Sequence, residues 1–258
     1  MAKDEYSVSK LYQNQTIADE YVEKRFNFSW QRLLHAKQVQ FIETAVNLYS
    51  PVNILELAPG PARISVDLNC ITKGYMIENS QAMIDVAKKK LKEKGTLGLW
   101  EIFQGNAFEL DKFDTILEKM DLIYTFRFIR HFHKADRVRL YESMKRMLTT
   151  GGLFLLDVVN KPLRLKLEKK IQPLPDDALP VYDVTYTKEE FVNEMDENGF
   201  DVISFEPVLT NFEIQKFISI KFYDIFPALE EKLVNALERI PLSQPLEWLA
   251  LCKKQRTQ

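Results

Sequence analysis

The sequence predicts an α/β fold: a three-layer, doubly wound sheet of about seven strands, mostly parallel, with an antiparallel last strand. Two observations carry this. From residue 52 onward, short apolar runs alternate with helical stretches of about ten to fifteen residues, the pattern of βαβ units. The final run, 245–254, follows another strand without a simple crossover helix, which suits a strand added antiparallel to a parallel sheet.

The elements follow in order. Residues 1–50 read as an N-terminal helical cap. Ile17, Tyr21 and Lys24 share one helix face, and Val39, Ile42, Ala45, Val46 and Tyr49 repeat at intervals of three and four. Pro51 stops this helix. Residues 51–258 read as one α/β domain. VNILELA (52–58) and KGYMIE (73–78) are strands. SQAMIDVAKKKLKEKG (80–95) is a helix capped by Ser80 and closed by Gly95, with its lysine run on the solvated face. LWEIFQG (99–105) and MDLIYTF (120–126) are the next strands. A helix over 134–152, closed by glycines, leads to LFLLDVV (153–159). Thr187 and Glu190 form a capping box for a helix over 187–200, and DVISFEPV (201–208) precedes the last strand. Two segments exceed what connections need: 160–186, with four prolines, and 209–244, with an amphipathic helix after Pro227. Such segments are commonly lids or substrate walls.

Composition narrows the function. The formal net charge is −2, which gives no electrostatic footprint for nucleic acid or an acidic surface. Two distant cysteines, Cys70 and Cys252, read as buried thiols in a reducing compartment, and no metal-ligand spacing is present. The N-terminus MAKDEYSVSK is polar and no apolar run approaches a membrane span, so a cytoplasmic protein is expected.

Chemistry is expected at the carboxyl ends of the strands, where open parallel sheets bind ligands. The first strand offers Glu56 and then the loop Ala58-Pro59-Gly60-Pro61-Ala62-Arg63. The second ends on Glu78, 22 residues after Glu56, where a carboxylate can accept both hydroxyls of a ribose. The third ends in Gly105-Asn106-Ala107, the fourth in Thr125-Phe126-Arg127. A nicotinamide dinucleotide site needs glycine at the third position of G-x-G-x-x-G, where this chain has Arg63. The bland alternative, an ordinary βα turn, would make Glu78 and Asn106 coincidences.

These segments together resemble the class I S-adenosylmethionine-dependent methyltransferases. ELAPGPARIS is similar to their first motif, with Glu56 as the acid, Gly60 as the middle glycine, and Ala58 and Ala62 at the outer glycine positions. YMIENSQAMIDVAKKKL resembles the second motif, through Glu78, Ser80 and Met83, and QGNAFEL the third, with Asn106 in place of the commoner Asp. The likeness covers about residues 50–160 well and the end of the chain more loosely. It implies S-adenosylmethionine as cofactor, S-adenosylhomocysteine as product, and Glu78 and Asn79 at the ribose. It implies Asn106 and Ala107 at the adenine, and Glu56, Ala58, Gly60, Phe126 and Tyr21 around the rest. Alanine at the two outer positions is expected to cost little if the backbone angles there are ordinary.

FRFIRHFH (126–133) follows the fourth strand, where that family builds the floor of the transfer site. One reading makes Arg127 the holder of an anionic group and His131 a base; the other is a helix start whose arginines pair with nearby acids. Asp157, late on the fifth strand, lies toward the same region and can face either side of the sheet. The aromatic residues of 209–227 either wall an apolar substrate or, as is commoner, pack in the core. The expected function is methyl transfer to the O, N or C atom of a small molecule. The alternatives are a protein methyltransferase, a non-catalytic cofactor-binding or interaction protein, and a fold relative with other chemistry.

Overall fold

The computed structural model describes residues 27–115, 117–169, 182–240 and 242–256. Seven strands form one sheet: β1 (Ile54–Leu57), β2 (Gly74–Glu78), β3 (Trp100–Gln104), β4 (Met120–Thr125), β5 (Leu148–Val159), β6 (Phe200–Val208) and β7 (Glu247–Lys254). Their order is β3-β2-β1-β4-β5-β7-β6. Pairings from β3 through β5 are parallel, and β7 runs antiparallel to both β5 and β6. The order reverses between β1 and β4, so the switch point that receives ligands in such sheets lies between the two loops following these strands.

Side-chain alternation divides the core into two layers. One face of the sheet, with Leu55, Leu57, Ile77, Ile123 and Leu156, packs on α3 (Lys134–Met147) and α5 (Lys188–Glu197). The other, with Met76, Leu122, Tyr124, Leu155 and Leu249, packs on α1 (Ser29–Tyr49) and α2 (Gln81–Lys94). The period of two then puts Glu56, Glu78, Asp157 and Glu247 on this second face, toward the carboxyl end of the parallel strands. Four acids at one rim of a buried sheet are costly unless each has a partner or a ligand.

The caps read from sequence are present. Ser80 Oγ accepts from Met83 N, Gly95 closes α2 with φ of 79°, and Thr187 and Glu190 bond reciprocally at the start of α5. Other expectations need correction. The helix expected over 134–152 ends at Met147, because β5 already begins at Leu148; Gly151, with φ of 75°, makes a turn inside the first part of that strand rather than closing a helix. The segment 160–186 begins with α4 (Lys161–Glu168). The segment 209–244 holds two helices, α6 (Phe212–Phe222) and α7 (Pro227–Glu238), where one was expected. Of their aromatics only Phe212 is core; Phe217, Phe222 and Phe226 are exposed. Cys252 is buried but Cys70 only half-buried, and both are free thiols. No helix among the described residues is long and apolar enough to cross a membrane.

Candidate functional site

The loop after β1 is built on three left-handed residues in alternation. Ala58, Gly60 and Ala62 have φ of 52°, 56° and 55°. The backbone angles at the alanines are therefore not ordinary, and the condition under which alanine costs little is not met. Left-handed backbone costs a residue with a Cβ about 1–2 kcal/mol. Ala58 and Gly60 also precede prolines, a position that favours extended backbone. Strain of this kind persists only where neighbours over-determine it.

The neighbours are identifiable. Ala58 N donates to Ile77 O (3.0 Å), which ties the loop's start to β2. Glu78 Oε2 accepts from Gly60 N (3.0 Å), while its Oε1 accepts from Ser80 N (2.9 Å) at the start of α2. Burial pushes the Glu78 carboxyl above its ordinary value, against the pull of these amides. At the loop's far end, Arg63 reaches α1: Nη1 lies 2.9 Å from His35 Nδ1 and Nη2 donates to Gln38 Oε1 (2.8 Å). His35 Nε2 in turn meets Asp67 Oδ2 at 2.8 Å. Burial, and then the charge of Arg63, lowers the His35 pKa, so the neutral ring accepts from Arg63 and donates to Asp67.

Glu56 sits beneath the loop and is almost wholly buried. Ser65 Oγ donates to its Oε2, and Tyr124 Oη donates to the same oxygen at 3.1 Å. Burial raises the Glu56 pKa to about 7, although both hydroxyls and Arg63 oppose it. This carboxyl links the end of β1 to the segment after the loop and to β4. Above Gly60 there is open space: a Cβ added there would meet nothing within 4 Å. The loop is thus open to a ligand at the Gly60 Cα, while the Ala58 and Gly60 N–H groups are already engaged.

Asn79 is exposed beside Glu78. Asn106 caps the turn after β3, its Oδ1 accepting from Phe108 N at 3.0 Å, and Ala107 is buried next to it. Phe126 is buried at the end of β4. Met83, quoted for the second motif, packs with Val86. Tyr21 lies outside the described residues.

The turn after β4 contains the second group. Arg127 has φ of 59°, and its N–H donates to Asp157 Oδ1 at 2.7 Å. Its Nε is buried without a hydrogen-bond partner, and its guanidinium makes no ion pair among the described residues. Arg130, three residues on, is saturated. It meets Asp157 Oδ2 (3.0 Å), Asp183 Oδ1 (3.0 Å) and Glu247 Oε2 (3.4 Å). Burial and the neighbouring Asp157 raise the Glu247 pKa to about 7. His131 Nδ1 lies 3.0 Å from Tyr182 O and 3.1 Å from Asp183 Oδ1, so the Nδ1 proton is held there and Nε2 is the acceptor nitrogen. His133 is exposed and stacks on Tyr182.

Four partners were not singled out from sequence: Ser65, Tyr124, Asp183 and Glu247. Tyr124 had a signal, since it alternates with Leu122 on the face of Glu56. Asp183 had none, because it meets His131 only through the return of a long segment.

Comparisons with known proteins bear on the fold. Residues 54–152 match the family model described as a methyltransferase domain. No curated protein sequence matches the chain. Among solved structures, magnesium protoporphyrin IX methyltransferase from Synechocystis PCC 6803, with SAH bound, is similar at a TM-score of 0.60 and 12% identity, over 88% of this chain and 86% of that one. The [4+2]-cyclase SpnF is similar at a TM-score of 0.63 and 15% identity, over 97% of this chain and 96% of that one. Mitomycin 7-O-methyltransferase is similar at a TM-score of 0.51 and 13% identity, over 79% of this chain and 49% of that one. The chain is similar to methyltransferase domains over residues 54–152 and has the fold of the class I S-adenosylmethionine-dependent methyltransferases.

Proposed function

We propose that this protein is an S-adenosylmethionine-dependent methyltransferase acting on a small-molecule acceptor at O, N or C. The observation that carries the reading is the loop after β1. Its left-handed backbone is held by the Glu78 carboxyl, and open space lies beside the Gly60 Cα. A buried acid held only by amides, open space beside Gly60 and a strained turn at the sheet's switch point fit an adenosyl ligand.

Glu78 and Asn79 would hold the ribose, Asn106 and Ala107 the adenine, and the Ala58–Gly60 loop, Phe126 and Tyr21 the remainder. Glu56 acts beneath the loop, where its bonds to Ser65 and Tyr124 fix the floor. When bound, the cofactor supplies a methyl group on a cationic sulfur, and transfer is an in-line displacement that needs alignment and exclusion of water. Arg127 brings an unpaired guanidinium to an anionic group on the acceptor. His131, with its Nδ1 proton fixed, takes a proton at Nε2 where the acceptor atom carries one. The segments 160–186 and 209–244 would form the acceptor's walls. Two similar structures are named as methyltransferases of small molecules, which supports an acceptor of that class.

A second reading rests on the likeness to SpnF, named a [4+2]-cyclase, over nearly the whole chain. It keeps the fold and assigns other chemistry. Calorimetric titration with S-adenosylmethionine and S-adenosylhomocysteine, with NAD as control, tests the first. Saturable binding of the sulfur pair alone is expected; a folded protein that binds neither would refute the proposal. Transfer of labelled methyl to a small-molecule extract then separates methyltransferase from cyclase.

A further inference from the structure

The α6–α7 hairpin is inside out. On α6 the buried side chains are Phe212, Gln215 and Ser219, and the last two are 0% exposed. The opposite face carries Ile214, Phe217 and Ile220, which are 49%, 58% and 54% exposed. At 100° per residue, Phe217 lies directly across the helix from the Gln215–Ser219 row. On α7 the buried residues are Glu230 and Val234, while Leu229 and Leu233, one turn apart, are exposed. The connection adds Ile225 and Phe226, also exposed.

Polar groups form the seam between the helices. Gln215 Nε2 donates to Val234 O (3.2 Å) and to Glu238 Oε2 (2.9 Å). Ser219 Oγ donates to Glu230 Oε1 (2.5 Å), and Ser29 Oγ of α1 donates to Glu230 Oε2. Asn211 Nδ2 donates to Leu237 O and Ile240 O, both at 2.7 Å. Hydrogen bonds hold the hairpin together and leave most of its large apolar side chains outside, Phe212 and Val234 excepted. Water disfavours the exposed apolar side chains, and the apolar boundary of a membrane surface favours them.

The charges on the same hairpin identify the phase. Lys216, Lys221, Lys232 and Arg239 are exposed, and none makes an ion pair among the described residues. Of the exposed acids here, Glu231 pairs with Arg32, which leaves Asp224. Lysine is depleted from protein–protein interfaces, whereas a basic fringe around an apolar face is attracted to anionic lipid headgroups.

We propose that the α6–α7 hairpin docks on the surface of an anionic lipid bilayer, with Phe217, Phe226 and Leu229 entering the headgroup–acyl boundary. It lies in the plane of the interface and does not span. This inference is independent of the methyltransferase reading.

Co-sedimentation with vesicles of phosphatidylglycerol and phosphatidylcholine tests it, against vesicles of phosphatidylcholine alone. The full chain should pellet with the mixed vesicles, at least fivefold more than with the neutral ones, and the difference should shrink as salt rises. Phe217→Asp with Phe226→Asp should cut binding at least tenfold without changing the melting temperature, because both residues are exposed. Should that variant not fold, Lys216→Glu with Lys232→Glu gives the same test through charge. Protein that stays in the supernatant with both vesicle types would overturn the proposal. So would a dimer in sedimentation velocity that Phe217→Asp splits, which would assign the face to a second copy of the chain.

Discussion

The loop after β1 and the turn after β4 are built by one device. In each, residues other than glycine hold left-handed backbone: Ala58 and Ala62 in the first, Arg127 in the second. In each, a carboxylate from the end of the neighbouring strand accepts a loop N–H: Glu78 of β2 from Gly60, Asp157 of β5 from Arg127. They differ in counter-charge. Asp157 is paired with the buried guanidinium of Arg130, which also serves Asp183 and Glu247. Glu78 has amides alone. A carboxylate already neutralised by arginine has little to offer a ligand; one held only by amides has no counter-ion and keeps lone pairs for a polar partner. The same device thus stands as scaffold on one side of the switch point and as a binding group on the other.

The largest way to break this comparison is to remove the cation. Arg130→Met leaves the buried Asp157 and Glu247 without their cation, while Asp183 keeps His131, and should cost about 3–5 kcal/mol of stability in urea unfolding. A loss below about 1 kcal/mol would mean that the acids are neutral or hydrated and that the two loops are less different than their geometry.

Next is pH. Glu56 has a pKa of about 7 in the fold, against an ordinary 4.5, chiefly through burial. The native state therefore binds this proton more tightly than the unfolded chain. Its stabilising contribution is complete below pH 4.5 and is lost as pH rises through about 7, a fall of roughly 3 kcal/mol from this group. Glu247, also raised to about 7, acts in the same direction. Glu56→Gln should remove the Glu56 share, which unfolding at pH 5 and pH 8 would show. An unchanged pH slope would place the Glu56 proton elsewhere.

Glu78→Ala should weaken S-adenosylhomocysteine binding by about 10- to 100-fold, the effect of a charge-assisted hydrogen bond of about 1.5–3 kcal/mol. Unchanged affinity in calorimetry would make Glu78 a loop anchor like Asp157 and erase the difference between the regions.

The smallest effect is at Ala58. Ala58→Gly relieves about 1–2 kcal/mol of left-handed strain and loses about 0.4–1 kcal/mol through added freedom of the unfolded chain. A net gain of about 1 kcal/mol or less in denaturant midpoint is expected. A loss of stability would show that the alanine backbone is relaxed there.

The two regions were unequally legible in the sequence. Gly60, Glu56 and Glu78 could be read because each stands at a strand end, at short separation, in an order that motif spacing preserves. Their roles were less visible. Glu56 was expected near the ligand, and its Oε2 is engaged by Ser65 and Tyr124. In the turn after β4, the crowding of Arg127, Arg130 and His131 was visible, but not which arginine was paired. That depends on Asp157, Asp183 and Glu247, which lie between 27 and 117 residues from Arg130.

Local chemistry thus determined a good deal about this protein. Alternating apolar runs and helices set the doubly wound sheet, and Ser80, Gly95 and Thr187 set helix ends, because periodicity and capping act within a few residues. Tertiary structure alone decided three things: the left-handed angles at Ala58 and Ala62, the partition of charge between Arg127 and Arg130, and the outward turn of the apolar faces on α6 and α7. Each depends on which distant group arrives as a partner, and a hydrogen bond or an ion pair between residues far apart in the chain has no local signature.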